Sequence, residues 1–309
     1  MLSASELFRG HHADNSEVRS IRPSGMPKAR RQLLRHLDNP RAPIRANTGT
    51  DVQHGLDLLS SHLRVAELFW VSQDMTALAM SSGSQLDAAR WATADRPAPC
   101  GLIWFDGGIG QTTFQGVDVP VDGVVWGPGD EGCLLWTLVD RKRVAVAAAQ
   151  TGRMLVVEET PPLFPIVGEF LSTDREVSMA ALPEGMPAPV AQAVAAAWLL
   201  MQQPVLVDRV RERADGPTRR QHARDGLPAP EVTVVDLRRQ YVPQDQDQDP
   251  DAGGDGRRYR HRWVVSGHWR NQAHGPDRSL RRRRWIPSYV KGPEGAPLLS
   301  TERVNVWRR

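Results

Sequence analysis

The sequence GLIWFDGGIGQTTFQGVDVPVDGVVWGPGDEGCLLWTLVD spans Gly101 to Asp140 and holds three apolar runs separated by glycine, aspartate and proline. Each run has the length of a β-strand, and the segments between the runs have the composition of turns. The runs follow one another too closely for helical crossovers, so antiparallel hairpins are expected. We therefore predict a β-rich centre for the chain.

The segment DGGIGQTT, Asp106 to Thr113, is similar to the glycine loop that binds nucleotide phosphates. Such a loop needs a lysine that reaches the phosphates and a helix that follows it. Here Gln111 occupies the lysine position, and the residues that follow have the pattern of a proline- and glycine-broken strand. The segment is therefore predicted to be a tight turn between strands.

Helical patterns precede this centre. Three segments predict helices: MPKARRQLLRHLD, stopped by Asn39-Pro40, DVQHGLDLLSSHL, and SQDMTALAMSSGSQLDAARWA over residues 72–92. Ser72 or Asp74 is a suitable N-cap for the third. RVAELFWVS, between the second and third of these patterns, predicts a buried strand. DRKRV, Asp140 to Val144, interrupts two apolar runs and is predicted to be a basic turn between strands.

The C-terminal half begins with helical patterns. APVAQAVAAAWLLM, Ala188 to Met201, predicts a buried helix, since it is shorter than the roughly 20 residues of a membrane span. VLVDRVRERAD is predicted to be a second helix with Arg209, Arg211 and Arg213 exposed. EVTVVDLRRQYV alternates in the manner of a strand.

The order of these elements predicts an α+β protein, with a β-rich α/β body followed by helices packed on a C-terminal antiparallel sheet. The predicted domains are a basic, partly flexible arm over residues 1–50, the body over 51–185 and a helix-plus-sheet module over 186–309. Residues 243–256 are acidic and glycine-rich with almost no apolar side chain, and so they predict a flexible loop.

Several classes of protein are disfavoured by the sequence. The N-terminus has no apolar signal core, and Cys100 and Cys133 form no paired motif with metal-ligand spacing. The HHAD segment, His11 to Asp14, is predicted to be solvated rather than to bind a metal. We therefore expect a reduced, cytoplasmic protein with no metal and no cofactor.

Charge is distributed very unevenly along the chain. The residues from Gly256 to Arg309 hold fourteen basic and three acidic side chains, a net charge of +11, whereas the remainder carries −8. A basic end joined to an acidic body suggests a polyanionic partner. The alternative is that the acidic loop preceding the basic strands folds back and screens them.

The basic end alternates in the manner of strands. In RYRHRWVVSGHWR, Arg258 to Arg270, arginines and aromatic residues occupy opposite faces, and the aromatic face, including Trp263, is expected to lie on the helix at 188–201. In RRRRWIPSYV, Arg282 and Arg284 share the face opposite Arg281 and Arg283. The predicted nucleic-acid contacts are Arg258, Arg260, Arg262, Arg270, Arg281, Arg282, Arg283 and Arg284, with Trp269 or Tyr259 stacking on a base.

Three functions are compatible with this pattern. The first is binding of DNA or RNA phosphate by the arginines, and the second is RNA cleavage, with His268 moving a proton and Arg270 holding the phosphate. The third is binding of an acidic protein partner. No membrane partner is expected. Whether the protein is an enzyme stays open at this point.

The segments AWLLMQQP, VTVVDLRR and HRWVVSGHWRNQ…RRRRWIPSYVKGP resemble a family of proteins from actinobacteria, their phages and integrated elements. The shared features are a G-H-W-R-x-Q strand end, an arginine-flanked W-I and a K-G-P. Ala273, His274 and Gly275 depart from the proline or aromatic residue expected there. The resemblance implies a phage or mobile-element setting and brings no activity or catalytic residue with it.

A second resemblance is to the small RelE-like toxin ribonucleases, in which helices precede an antiparallel meander. Gly267-His268-Trp269-Arg270 is loosely similar to their glycine, aromatic and arginine pattern. This likeness is one of topology and supports only the hypothesis of RNA cleavage.

Overall fold

A computed structural model describes residues 21–42, 44–45, 49–114, 116–129, 132–150, 160–238 and 263–291 of the chain. Within these ranges, the side chains of residues 148, 150, 263, 264, 290 and 291 are not described. The chain forms two compact units, Met1–Leu237 and Arg238–Arg309, here called the first and the second unit. The domain division predicted at residues 50 and 185 stays a prediction.

Helices and strands alternate along the chain. The helices are α1 Met26–Asp38, α2 Thr50–Val65, α3 Gln73–Gly83, α4 Arg141–Gln150, α5 Ala188–Met201 and α6 Gly216–Arg224. The strands are β1 Glu67–Val71, β2 Ala88–Arg90, β3 Gly101–Phe105, β4 Gln111–Phe114, β5 Val117–Pro120, β6 Gly123–Gly129, β7 Gly132–Asp140, β8 Leu163–Leu171, β9 Glu176–Ser178, β10 Val207–Arg213, β11 Glu231–Leu237, β12 Trp263–Val265, β13 His268–His274, β14 Leu280–Ile286 and β15 Tyr289–Lys291. This mixture confirms the predicted α+β class.

Seven strands form a mixed sheet in the first unit, in the order β10-β11-β1-β3-β6-β7-β8. The three apolar runs of the central segment are β3, β6 and β7, and they pair antiparallel as predicted. β1 instead pairs in parallel with both β3 and β11. The sheet therefore joins strands that are far apart in the chain, from both sides of residue 185.

One face of this sheet is covered by α1 and α2. Leu33, Leu56, Leu59 and Leu63 are buried on the facing sides of these helices, where they meet Leu102, Trp104 and Leu138 of the sheet. The apolar residues of each helix recur at three- and four-residue intervals, which places them on one side. The helical predictions for both segments are confirmed.

The other face carries α3 and α5. Ser72 caps α3 by accepting a hydrogen bond from the Met75 amide, as predicted. Gly83 of α3 lies so close to α5 that an added Cβ would stand 2.7 Å from the Gln192 carbonyl oxygen. Trp198 of α5 packs 5.0 Å from Trp126 of β6, ring centre to ring centre. The apolar helix is thus buried between α3 and the sheet.

Three predicted elements differ from the structure. The helix predicted over residues 72–92 ends at Gly83, and Ala88–Arg90 form strand β2 because their backbone pairs antiparallel with β9. VLVDRVRERAD, predicted to be a helix, contains strand β10, because its backbone pairs antiparallel with β11 from Val207 to Arg213. DRKRV, predicted to be a basic turn, begins α4, because the Asp140 carboxylate accepts a hydrogen bond from the Lys142 amide and starts the helix. Local composition was a poor guide in all three places.

The cysteines are free thiols, with Cys133 buried and Cys100 partly buried. Burial raises the pKa of Cys133 to about 12, which keeps it protonated and unreactive. In the described part of the chain, no helix is long and apolar enough to cross a membrane.

Candidate nucleic-acid interface

Four strands are described in the second unit, and they form one interrupted ladder. β12 pairs with β15 and β13 pairs with β14, both antiparallel and in the same continuous register. Equal numbers of residues separate the pairs on each side, so the alternation of faces continues through the interruption. Residues 263–274 and 280–291 thus make one two-stranded element, here called the ribbon, about 40 Å long at the usual rise per residue.

The interruption lies where Gly267 faces Pro287. Proline has no amide proton for the ladder, so pairing stops there without any inserted residue. The indole of Trp285 covers Gly267, and an added Cβ would stand 2.5 Å from its Cζ2 atom. Gly267 is therefore a site of close packing rather than a bulge that shifts the faces.

Aromatic and aliphatic side chains pack at the end of β13 and β14 that adjoins Gly267 and Pro287, here called the anchored end of these strands. Trp269 and Trp285 face each other across the ladder with ring centres 5.3 Å apart in a T-shaped arrangement. Trp285 is 6% exposed and Ile286, which points to the opposite face, is 4% exposed. Because Trp269 is itself partly buried in this pair, the structure favours an anchoring role for it over base stacking.

The arginines of β13 and β14 lie on both faces of the ribbon. Arg270 is directly opposite Arg284, and Arg282 follows on the same face, whereas Arg281 and Arg283 point the other way. All four consecutive arginines belong to the strand, and none lies in the preceding loop. The predicted alternation of Arg282 and Arg284 with Arg281 and Arg283 is thus confirmed.

Side-chain exposure increases along β13 and β14 toward the turn between them, here called the tip. Arg270, Arg283 and Arg284 are partly buried, while Arg281 and Arg282 are exposed. At the tip the chain turns through Gly275, Asp277 and Arg278, all with positive φ. The Arg281 guanidinium donates to the Arg278 carbonyl oxygen at 3.1 Å, which holds the strand against the turn. Next to the tip, the ribbon thus presents exposed arginine side chains on both of its faces.

The ribbon has a large excess of positive charge. Residues 263–291 include six arginines and Lys291 but one carboxylate, Asp277. Among the described residues, no carboxylate is within ion-pair distance of Arg270, Arg278 or Arg281. Arg270 and Arg284 are directly opposite each other across the ladder, so the ribbon concentrates positive charge well inside a Debye length.

His268 shares a face with Arg270 near the start of β13, away from the turn. Its Nδ1–H donates to the Ser266 carbonyl oxygen at 3.1 Å. No described carboxylate forms a hydrogen bond with this ring. The geometry brings the two candidate catalytic residues together but supplies no partner for a general base, so the catalytic role stays a prediction.

Several predicted residues lie outside the described part of the chain. They are the candidate nucleic-acid contacts Arg258, Tyr259, Arg260 and Arg262, the side chain of Trp263, the acidic loop at 243–256 and the HHAD segment. Among the described residues there is no cluster of three or more histidine, cysteine or acidic side chains that could hold a metal ion.

The first five residues of the segment DGGIGQTT form a turn between β3 and β4, as predicted, and QTT begins β4. Gly107, Gly108 and Gly110 have positive φ, and the chain returns into β4 without forming a helix. Gly108 packs on the buried carboxylate of Asp122, which is paired with Arg143. The space that a phosphate would need is occupied by this carboxylate and its partner.

A buried polar cluster in the first unit was not predicted from the sequence. Arg30 and His222, both 1% exposed, are hydrogen bonded at 3.2 Å, and Arg30 also donates to the Ala66 carbonyl oxygen at 2.9 Å. Burial lowers the pKa of Arg30 to about 10. The two residues are 192 positions apart in sequence, and only an arginine on the apolar side of a predicted helix could have hinted at the cluster.

Comparison with known proteins gives one family match. Residues 157–290, less than half of the chain, match the model of the AcrVA2-like family, described as the anti-CRISPR type V subtype A2 family. No curated protein sequence matches the chain. A crystal structure of AcrVA2 aligns with 92% of this chain and 91% of its own at 13% identity, with a TM-score of 0.39, too low to show a common fold.

The predicted setting among phages and mobile elements is supported by the family match, since this anti-CRISPR family is associated with phages and mobile elements. The actinobacterial resemblance stays an expectation. All of the ribbon up to Val290 lies within the segment that matches this anti-CRISPR family.

Proposed function

We propose that this chain is an anti-CRISPR protein of a phage or mobile element and that it binds nucleic acid through the arginines of the ribbon. The observation that carries the proposal is the placement of Arg270 and Arg281 to Arg284 on two paired strands with one nearby carboxylate in sequence. The family match at 157–290 supports the anti-CRISPR part of the proposal.

Arginine suits this role for a physical reason. Its guanidinium is planar and permanently charged, and it offers paired N–H groups to the two oxygens of a phosphate. Each phosphate that is neutralised also releases condensed counterions, which drives binding. A ribbon with arginine at successive positions can therefore follow a polyphosphate backbone without reading its sequence.

Paired variants separate this proposal from a general effect of charge. Arg282→Gln/Arg284→Gln removes two charges from the ribbon, and Arg209→Gln/Arg211→Gln removes two from exposed alternate positions of β10. We expect the ribbon variant to bind a labelled oligonucleotide about tenfold or more weakly, because two phosphate contacts are lost. The β10 variant should bind like the wild type. Equal weakening by both variants, or by neither, would contradict the proposal.

RNA cleavage is the second candidate, and it rests on the shared face of His268 and Arg270. Labelled RNA incubated with the wild type and with His268→Ala tests it. Cleavage by the wild type that the variant lacks would establish an enzyme. Equal cleavage by both, or by neither, removes this candidate and leaves binding.

A protein partner is the third candidate, because an anti-CRISPR protein can act by contacting an effector protein. A pull-down with and without nuclease distinguishes the cases. Protein contact would be favoured over nucleic acid if a type V effector is still captured after nuclease treatment and is also captured by Arg282→Gln/Arg284→Gln.

The anti-CRISPR role itself is tested in cells. Co-expression with a type V effector and guide should protect a targeted plasmid, and Arg282→Gln/Arg284→Gln should protect it less at equal protein level. Protection that is unchanged in this variant would separate the inhibitory activity from the ribbon.

A further inference from the structure

The arginines of the ribbon point to both of its faces, and this limits the shape of the ligand. Arg282 and Arg284 lie on one face with Arg270, and Arg281 and Arg283 lie on the other. A single strand that lay along one face would meet only one of these sets. A ligand with phosphates on two sides of the ribbon would meet both.

From this distribution, and on the basis of the proposed function, we infer that the ribbon inserts into the major groove of a DNA duplex. That groove is about 12 Å wide and admits a two-stranded β-ribbon, with a phosphate backbone along each wall. The corresponding groove of A-form RNA is deep and too narrow for side chains to read, and its other groove is shallow. Arginines on opposite faces of one ribbon match the two walls of the DNA groove.

The anchoring of the ribbon fits insertion by its tip. Trp285 and Ile286 are buried at the anchored end of β13 and β14, whereas Asn271, Arg281 and Arg282 are exposed toward the turn. The part of β13 nearest the turn runs from Asn271 to His274, about 13 Å at the usual rise per residue. This exceeds the roughly 8.5 Å depth of the groove, so the tip can reach its floor.

The turn adds a charge at the leading end. Arg278 has φ 55° and follows Asp277 with φ 51°, a left-handed pair that folds the chain back within five residues of His274. In the proposed complex Arg278 lies next to the groove floor. Arg270 and Arg281 to Arg284, on the two faces of the ribbon, contact the phosphates along the groove walls.

The test uses the full-length protein and three ligands of the same sequence: a 24-base-pair DNA duplex, a single DNA strand and an RNA duplex. Fluorescence anisotropy at a fixed salt concentration should show the DNA duplex bound at least tenfold more tightly than the other two. A duplex loaded with a minor-groove ligand such as netropsin should be bound equally well, and methyl green, which occupies the major groove, should compete.

Two face variants complete the test. Arg282→Gln/Arg284→Gln and Arg281→Gln/Arg283→Gln should each weaken duplex binding about tenfold, and circular dichroism should show that both remain folded. The groove inference would be overturned if only one face variant bound the duplex more weakly, if the single strand or the RNA duplex bound equally well, or if netropsin competed. Each of these results would leave nucleic-acid binding itself in place. Absence of binding to all three ligands would instead overturn the proposed function.

Discussion

Several aromatic rings lie flat over glycines of neighbouring strands, and Gly101 shows what this packing requires. Gly101 of β3 is directly opposite Trp126 of β6, and an added Cβ would stand 2.2 Å from the Trp126 Cζ2 atom. Trp126 cannot move easily, because it is fully buried and its indole N–H donates to the Ala98 carbonyl oxygen at 2.8 Å. A glycine at this position is therefore part of the core.

Gly101→Ala should lower the free energy of unfolding by about 2–3 kcal/mol, because the methyl group overpacks a rigid site. Urea denaturation measures the change. Gly25→Ala is the matched control, since its Cβ would meet ordinary contact at 3.6 Å from Ile21, and it should change stability by less than about 0.5 kcal/mol. Equal stability of both variants would contradict the packing account.

The buried histidine His222 makes the first unit sensitive to acid. Its Nδ1 accepts from Arg30 at 3.2 Å and its Nε2–H donates to the Pro27 carbonyl oxygen at 3.2 Å, so the neutral ring is built into the structure. Burial, with the nearby Arg30 charge, lowers the pKa of His222 below its ordinary 6.5. Burial also lowers the pKa of His62.

Because the unfolded state binds the proton more readily, stability should be complete above pH 6.5 and should fall as the pH drops below that value toward the folded pKa. Thermal melts between pH 7.5 and 5 measure this decline. His222→Gln should show a flatter profile than the wild type, whereas the exposed His54→Gln serves as the control. A wild-type melting temperature that is constant over this range would contradict the assignment.

At the scale of the element, β10 is an edge strand whose charges oppose self-pairing. All its residues from Asp208 to Arg213 are exposed, and no described strand pairs with its outer side. Two copies paired antiparallel about Val210 would place Arg209 opposite Arg211 and Asp208 opposite Glu212. Like charges directly across a ladder are destabilising, so the strand resists association with itself.

Arg209→Val/Arg211→Val should therefore produce dimers or larger species that the wild type lacks, as measured by size-exclusion chromatography with light scattering. The control is Arg219→Val/Arg220→Val, which makes the same chemical change at exposed positions of α6. Because a helix offers no unpaired backbone edge, this control should elute like the wild type. Association of the control to the same extent would show that lost charge alone is responsible.

Sequence pattern predicted the elements whose signal is local. α1, α2, α3, α5, β1, β3, β6, β7 and β11 follow from apolar spacing and turn residues. β10 did not, because Val, Asp, Arg and Glu suit an exposed helix, and its strand state depends on pairing with β11. The parallel pairing of β1 with β11 depends on contacts more than 150 residues apart, which periodicity cannot reveal.

The candidate site was predictable in part for the same reason. Alternation correctly assigned Arg281 to Arg284 to two faces of one strand, since the strand period is two. The pairing of Arg270 with Arg284 needed the register, which the turn at Gly275 and the packing of Trp269 on Trp285 establish. The Arg30–His222 cluster, formed between distant segments, had no local signal.

At the scale of the whole molecule, charge is segregated by position along the chain. The last 54 residues, from Gly256, carry a net charge of +11, whereas the rest of the chain carries −8. A polyanion is therefore attracted to one end of the sequence and repelled by the other. We therefore expect polyanion binding to weaken as salt rises, with the arginines of the ribbon as the source of this dependence.

Phosphate binding by the ribbon is tested by the salt dependence of DNA-duplex binding, measured for the full-length protein and for Arg282→Gln/Arg284→Gln. With about five ribbon phosphate contacts, the plot of log K against log salt concentration should have a slope near −4.5 for the wild type, and the variant slope should be smaller by about 2. A flat plot, or identical slopes for the two proteins, would contradict the claim that the ribbon arginines bind phosphate.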